Sequence, residues 1–65
     1  MTLAEMEKER DKHIKWGEMI KEEGRNLTKW ELDFVDSVLD QMGNGRFLSI
    51  KQAEILERIY AEKTP

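Results

Sequence analysis

The sequence predicts an all-α protein, a compact three-helix bundle with a long, charged first helix. Three observations predict it. Thr2/Glu5, Thr28/Glu31 and Ser49/Gln52 each place a hydroxyl three residues before a Glu or Gln, the spacing of a capping box at a helix start. Two glycine-bearing stretches, residues 24–27 and 43–48, separate the segments that follow. Within each segment the apolar residues recur at three- and four-residue spacing. The helices are expected at about 3–23, 29–42 and 50–62, in one domain spanning 1–65.

The first helix opens after Thr2, and Gly24 is expected to end it in the left-handed conformation. Residues 5–12 are nearly all charged and of mixed sign. Glu5–Lys8, Glu9–Lys12 and Asp11–Lys15 sit three or four apart, where opposite charges support a helix slightly. Leu3, Met6, His13, Trp16, Gly17 and Ile20 share the inner face. His13 is expected partly buried against Trp16 or the bundle, and Gly17 is expected to let a neighbouring helix approach closely. Twenty-one residues reach about 31 Å, whereas the other two helices reach about 20 Å. The first half of this helix should therefore project, carrying Met1, Leu3 and Met6 as a partner-binding or dimerising arm; the bland alternative is a frayed, solvated end.

Residues 24–27 are a short link, which favours antiparallel neighbours. The second helix starts at the Thr28 cap, with Leu27 and Leu32 spaced as a hydrophobic staple. Trp30, Leu32, Phe34, Val35, Val38, Leu39 and Met42 sweep an arc of roughly 200°, wider than the ~100° stripe of a one-sided helix. Cover on two sides is expected. Asp33, Asp36 and Asp40 line the opposite face, either as a docking stripe for a basic partner or simply as a solvated surface.

Gly43-Asn44-Gly45 forms a sharp turn, and Phe47 and Leu48 should plug the end of the bundle. Asp40, Asn44 and Gly45 match positions one, five and six of a calcium loop. Met42 stands third, however, and Lys51 twelfth, where a bidentate glutamate is required. The third helix carries Ile50, Ala53, Ile55, Leu56, Ile59 and Tyr60 as its apolar residues over a broad arc, with Ile55 at one edge, open to exposure. Lys63-Thr64-Pro65 should be loose.

Composition narrows the function classes. With 38% charged residues and a net charge of −3, the chain lacks the basic surplus of a general nucleic-acid binder. There is no cysteine, hence no disulfide framework or thiolate metal site. No apolar run is long enough to span a membrane, and no apolar leader follows Met1. These features predict a cytoplasmic protein encoded as a complete small open reading frame. The single histidine has no second ligand and no nucleophile beside it, Ser49 is used as a cap, and Gly43-Asn44-Gly45-Arg46 lacks the lysine and hydroxyl of a phosphate loop. No catalytic, cofactor or metal site is therefore assigned, and a non-enzymatic protein is expected.

Two binding readings compete. In the first, Leu3, Met6, Asp33, Asp36 and Asp40 contact a larger protein. In the second, the last two helices act as a helix-turn-helix, with Arg46, Lys51, Gln52 and Arg58 reaching DNA or RNA. Glu54, Glu57 and the aspartate stripe oppose the second reading, as does a link of about six residues where that motif uses 3–4. A homodimer joined through the first helices is a third possibility.

Leu27, Thr28, Trp30, Glu31, Phe34, Val35 and Ser37, followed by Gly45, Arg46, Leu48, Ser49, Lys51, Gln52, Ile55, Leu56, Glu57, Ile59 and Tyr60, form a block of the pattern LTxWExxFVxS…GRxLSxKQxxILExIY. It covers about half the chain. The block resembles small or C-terminal helical modules of phage and bacterial proteins linked to DNA replication and recombination. The resemblance implies association with a nucleic-acid-processing assembly as an accessory factor or inhibitor, in the host cytoplasm if phage-encoded. It brings no catalytic residue with it.

Overall fold

Each helix begins where a side chain satisfies backbone N–H groups that the helix itself leaves unpaired. In the computed structural model, which describes residues 2–65, α1 runs Leu3–Glu23, α2 Lys29–Gly43 and α3 Ile50–Lys63. The Thr28 and Ser49 boxes are both closed. Thr28 N–H donates to Glu31 Oε1 at 2.8 Å, and Ser49 N–H to Gln52 Oε1 at 2.9 Å. The hydroxyls accept in return from the Glu31 and Gln52 N–H groups at 3.1 Å each. The Thr2 box is half made: its hydroxyl accepts from Glu5 N–H and donates to Glu5 Oε1, both at 3.2 Å.

The first link departs from expectation. Gly24 is extended (φ −66°) rather than left-handed, and Asn26 (φ 58°) takes the positive-φ position. Gly24 N–H bonds Ile20 O at 2.8 Å, and a Cβ on Gly24 would overlap that same carbonyl oxygen. Glycine is required here for close approach, while asparagine, the non-glycine residue most tolerant of this region, makes the reversal.

The helices form an up-down-up bundle. Gly17 faces Leu39 across α1 and α2, Gln52 reaches Gln41 across α3 and α2, and Trp16 stacks on Tyr60 between the parallel α1 and α3. Ile20, Val35, Val38, Met42, Leu56 and Ile59 are the buried core. Ile14, Leu27, Phe34, Leu39, Leu48 and Ile55 pack around it. A Cβ at Gly17 would meet Leu39 Cδ2 at 2.7 Å, so this glycine sets the α1–α2 spacing as its position suggested. α1 packs against both other helices, whereas α2 and α3 meet only lightly.

That light contact explains a second departure. α2 is not covered across its whole apolar arc: Trp30 is 61% exposed and Leu32 40%. Trp30 lies instead against Phe34, ring on ring, at 5.4 Å. The C-terminal end is also better anchored than its composition suggests. Lys63 O accepts from Arg25 N–H at 2.9 Å, Lys63 Nζ approaches Asn26 O at 3.4 Å, and Thr64 bonds back to Tyr60 O. Of the three expected charge pairs on α1, Glu9–Lys12 forms at 3.0 Å.

Candidate functional site

A concave, mainly apolar feature lined by several elements arises where the long α1 outruns its neighbours. The α2–α3 link turns at Gly45 (φ 85°), a conformation that glycine adopts without the clash a side chain would bring. Before the turn, Asn44 closes α2: its N–H bonds Asp40 O at 3.1 Å and its side-chain amide bonds the same oxygen at 2.9 Å. After it, Leu48 reaches the core and Phe47 is laid against α1. Arg10 fixes that placement twice over. Its guanidinium donates to Gly45 O at 3.1 Å and sits 4.8 Å above the Phe47 ring. A planar guanidinium serves both roles at once.

Between α1, this link and the first turn of α3 lies a cleft of about 210 Å³. Met6, Phe47, Leu48, Ile50 and Ala53 supply its apolar wall, and Glu9, Arg10, His13 and Ser49 its polar edge. Pockets for drug-sized ligands usually occupy about 300–1,000 Å³. The volume here is equivalent to about seven waters, which suits one bulky side chain from a partner better than a cofactor. Ile50 stands at the lip, 82% exposed.

His13 is the cleft's one titrating group near neutrality. Its side chain is 13% exposed, its ring is tilted against Trp16 at 5.4 Å, and its Nε2 is 4.0 Å from Glu9 Oε2, beyond hydrogen-bond reach. Desolvation pushes its pKa below the usual 6.5, and Lys12 pushes the same way. The opposing pulls of Glu9 and Glu57 are smaller. His13 is therefore neutral at pH 7 and leaves the cleft without a buried charge. Glu9 is held below the usual carboxylate range, first by the hydrogen bond from Lys12 and then by its charge.

The structure gathers only some of the residues singled out from sequence. Met6 is half-buried in the cleft, so the expected overhang of α1 shrinks to about its first turn, where Leu3 is 64% exposed. The reason is the link, which folds back beside α1 and extends the bundle at that end. Met1 lies outside the described residues. Asp33, Asp36 and Asp40 are exposed on α2, which contributes nothing to the cleft, and Asp36 is paired with Lys21 at 2.6 Å. Arg46, Lys51 and Arg58 are exposed without an ion pair among the described residues. Arg46 and Lys51 flank the cleft residues Phe47 and Ile50, whereas Arg58 lies two turns further along α3. Gln52 is committed to the Ser49 cap and to Gln41 Oε1 at 3.4 Å, so its amide is not free to read a base.

Sequence reasoning missed Ile50 and Arg10. Ile50 fits the inward periodicity of the third helix, but as its first residue it lies past the end of the core. Arg10 sits inside a charge run and carries no local signal of its contact 35 residues away.

Ser49 Oγ is occupied by the cap, and no group of three potential metal ligands occurs among the described residues. Among the described residues no helix is long and apolar enough to cross a membrane. No family model, curated protein or solved structure matches the chain.

Proposed function

We propose that this chain is a non-enzymatic interaction module that docks onto a larger protein through the cleft between α1, the α2–α3 link and α3. The observation that carries the reading is Ile50, a large apolar side chain left 82% exposed at the lip of an apolar recess. Such pairs of a pocket and an adjacent apolar anchor concentrate binding energy in protein interfaces. Met6 adds an adaptable contact inside the recess. The aspartates of α2 then serve as a solvated face, with Asp33 and Asp40 open to secondary contacts. The resemblance of residues 27–60 to helical modules of replication and recombination proteins supports a partner within a nucleic-acid-processing assembly. On that reading the chain is a cytoplasmic, phage-related accessory factor or inhibitor.

The test is site-specific photocrosslinking in cell extract. A photoreactive residue at Glu54, beside the cleft, should yield one discrete adduct with a larger protein; the same group at Ala61, exposed at the far end of α3, should not. Ile50→Lys should abolish the adduct while leaving the far-UV circular dichroism spectrum unchanged. Equal adducts from both sites, or an adduct indifferent to Ile50→Lys, would reject the cleft.

One observation favours a second reading: Arg46, Lys51 and Arg58 are exposed cations with no ion pair among the described residues. They would contact phosphate in a direct nucleic-acid complex. Against it stand the net charge of −3, the engaged amide of Gln52 and the light contact between α2 and α3. Fluorescence anisotropy with labelled single- and double-stranded DNA decides between them. Salt-sensitive binding lost in Lys51→Ala and Arg58→Ala would install this reading.

A further inference from the structure

We infer that, in the absence of another protein, the cleft is filled by Ile50 of a second copy of this chain, in a two-fold pair that fills both clefts at once. This deepens the docking reading and rests on it: the same recess receives the same kind of apolar anchor, here supplied by the chain itself.

The placement of donor and acceptor makes the pair close. Ile50 stands at the edge of its own cleft, which it lines without filling. A two-fold axis passing beside Ile50 sets each isoleucine over the other copy's recess, an isologous contact that ends at two chains. Of the other large exposed apolar residues, Leu3 stands on the first turn of α1, whereas Trp30 and Leu32 lie on α2, away from the cleft. Inserting Trp30 into a neighbour's cleft would leave an unused Trp30 and an unused cleft at the two ends, a head-to-tail contact that propagates or stays open.

Charge favours a copy over a strongly acidic or basic partner. Glu54 on the first turns of α3 stands among Arg46 and Lys51 at the same end, and none of the three makes an ion pair among the described residues. Glu9 is already paired to Lys12 and Arg10 is occupied by the link. A rim carrying both signs is self-complementary across a two-fold axis, whereas a partner of one sign meets like charges on half of it. His13, neutral in the wall, places no charge against the entering side chain.

Size sets the extent of the contact. A stable interface buries about 800 Å² per partner, roughly a sixth of the 4734 Å² accessible surface of this chain. The cleft alone is smaller than that. The first turns of α1 and the outer face of α3 must therefore join it, which would also cover Leu3. A domain this short, with six buried apolar residues among those described, gains more from such cover than a larger one would.

Sedimentation equilibrium from micromolar to millimolar concentration tests the inference. The wild-type chain should move from the mass of a 7.7 kDa chain toward twice that value. Ile50→Lys should stay monomeric throughout while keeping its helical spectrum, and Trp30→Ser should associate as the wild type does. A wild type that remains monomeric at every concentration, or association that survives Ile50→Lys, would overturn it. Photocrosslinking from Glu54 separates the two readings. An adduct with a different protein alongside a monomeric wild type refutes self-association and spares the docking cleft. A chain-to-chain adduct with no heterologous one supports the pair and removes the larger partner.

Discussion

Gly17→Ala should destabilise the protein, although alanine is the better helix former. A methyl at this position would lie 2.7 Å from Leu39 Cδ2, 2.9 Å from Cγ and 3.3 Å from Cδ1. Favourable carbon contacts lie at about 3.5–4.0 Å, so Leu39 has to retreat by about 1 Å. Rotation about its outer bond moves only the two methyl carbons, while Cγ shifts only if χ1 or the helix axis shifts. Overpacking of this kind costs about 1–3 kcal/mol, against a helix-propensity gain of about 1 kcal/mol for replacing an interior glycine. A net loss of about 1 kcal/mol is expected, seen as a fall in melting temperature of about 4–8 °C for a domain of this size. The same substitution made in a Leu39→Ala background no longer meets the three Leu39 carbons and should stabilise by about 1 kcal/mol, giving a coupling of about 2 kcal/mol. Urea denaturation of the four proteins, followed by circular dichroism at micromolar concentration, measures both. If Gly17→Ala stabilises in both backgrounds, Gly17 does not set the α1–α2 spacing.

Three further outcomes follow from the same geometry. Leu56 is wholly buried, so Leu56→Ala should cost about 2–5 kcal/mol; against a total stability of about 3–10 kcal/mol expected for 65 residues, equilibrium denaturation should show the midpoint falling to roughly half the wild-type denaturant concentration. Asn26 holds φ 58°, so Asn26→Gly should be nearly neutral in thermal melts and Asn26→Val should cost about 1–2 kcal/mol. The folded-state pKa of His13 lies below 6.5, so the unfolded chain binds more protons between the two values; stability should be full above pH 6.5, fall as the pH drops from there toward the folded pKa, and lose that slope in His13→Gln when denaturation midpoints are compared across pH.

Local chemistry made the helix starts readable, because a capping box is complete within four residues and needs no tertiary context. Thr28 with Glu31 and Ser49 with Gln52 therefore fall where the sequence places them. The same holds for Gly17, whose lack of a side chain on an apolar face signals close approach, and for His13 against Trp16. What escaped is decided between segments. The choice of Asn26 over Gly24 for the left-handed turn depends on how the chain crosses the bundle end, where Arg25 N–H meets Lys63 O at 2.9 Å. Trp30 and Val35 are equally apolar members of one periodic arc, but only Val35 has a neighbour to cover it. Periodicity reports how broad the apolar arc is; it does not report how closely a third helix approaches.

The cleft follows from unequal lengths. α1 has 21 residues against 15 and 14 in α2 and α3, an excess of about 9 Å at 1.5 Å per residue. In a bundle of equal helices the link would cap the end and leave nothing concave. Here the link must also lie along the surplus turns of α1, and a short segment of chain is narrower than the helix it replaces. Phe47 and Leu48 cover part of that surplus and Arg10 pins them there. The width left over is the recess beside Met6, with Ile50 exposed because α3 begins where the link leaves off. Shortening α1 would remove the recess, and lengthening the link would fill it. The opposite end gives the comparison: there the first link brings Lys63 up to Asn26 and Glu31, 3.4 Å and 3.8 Å away, and the chain closes over its own backbone. The asymmetry between the two ends, set by how many residues each segment contains, is what leaves an apolar recess at one of them.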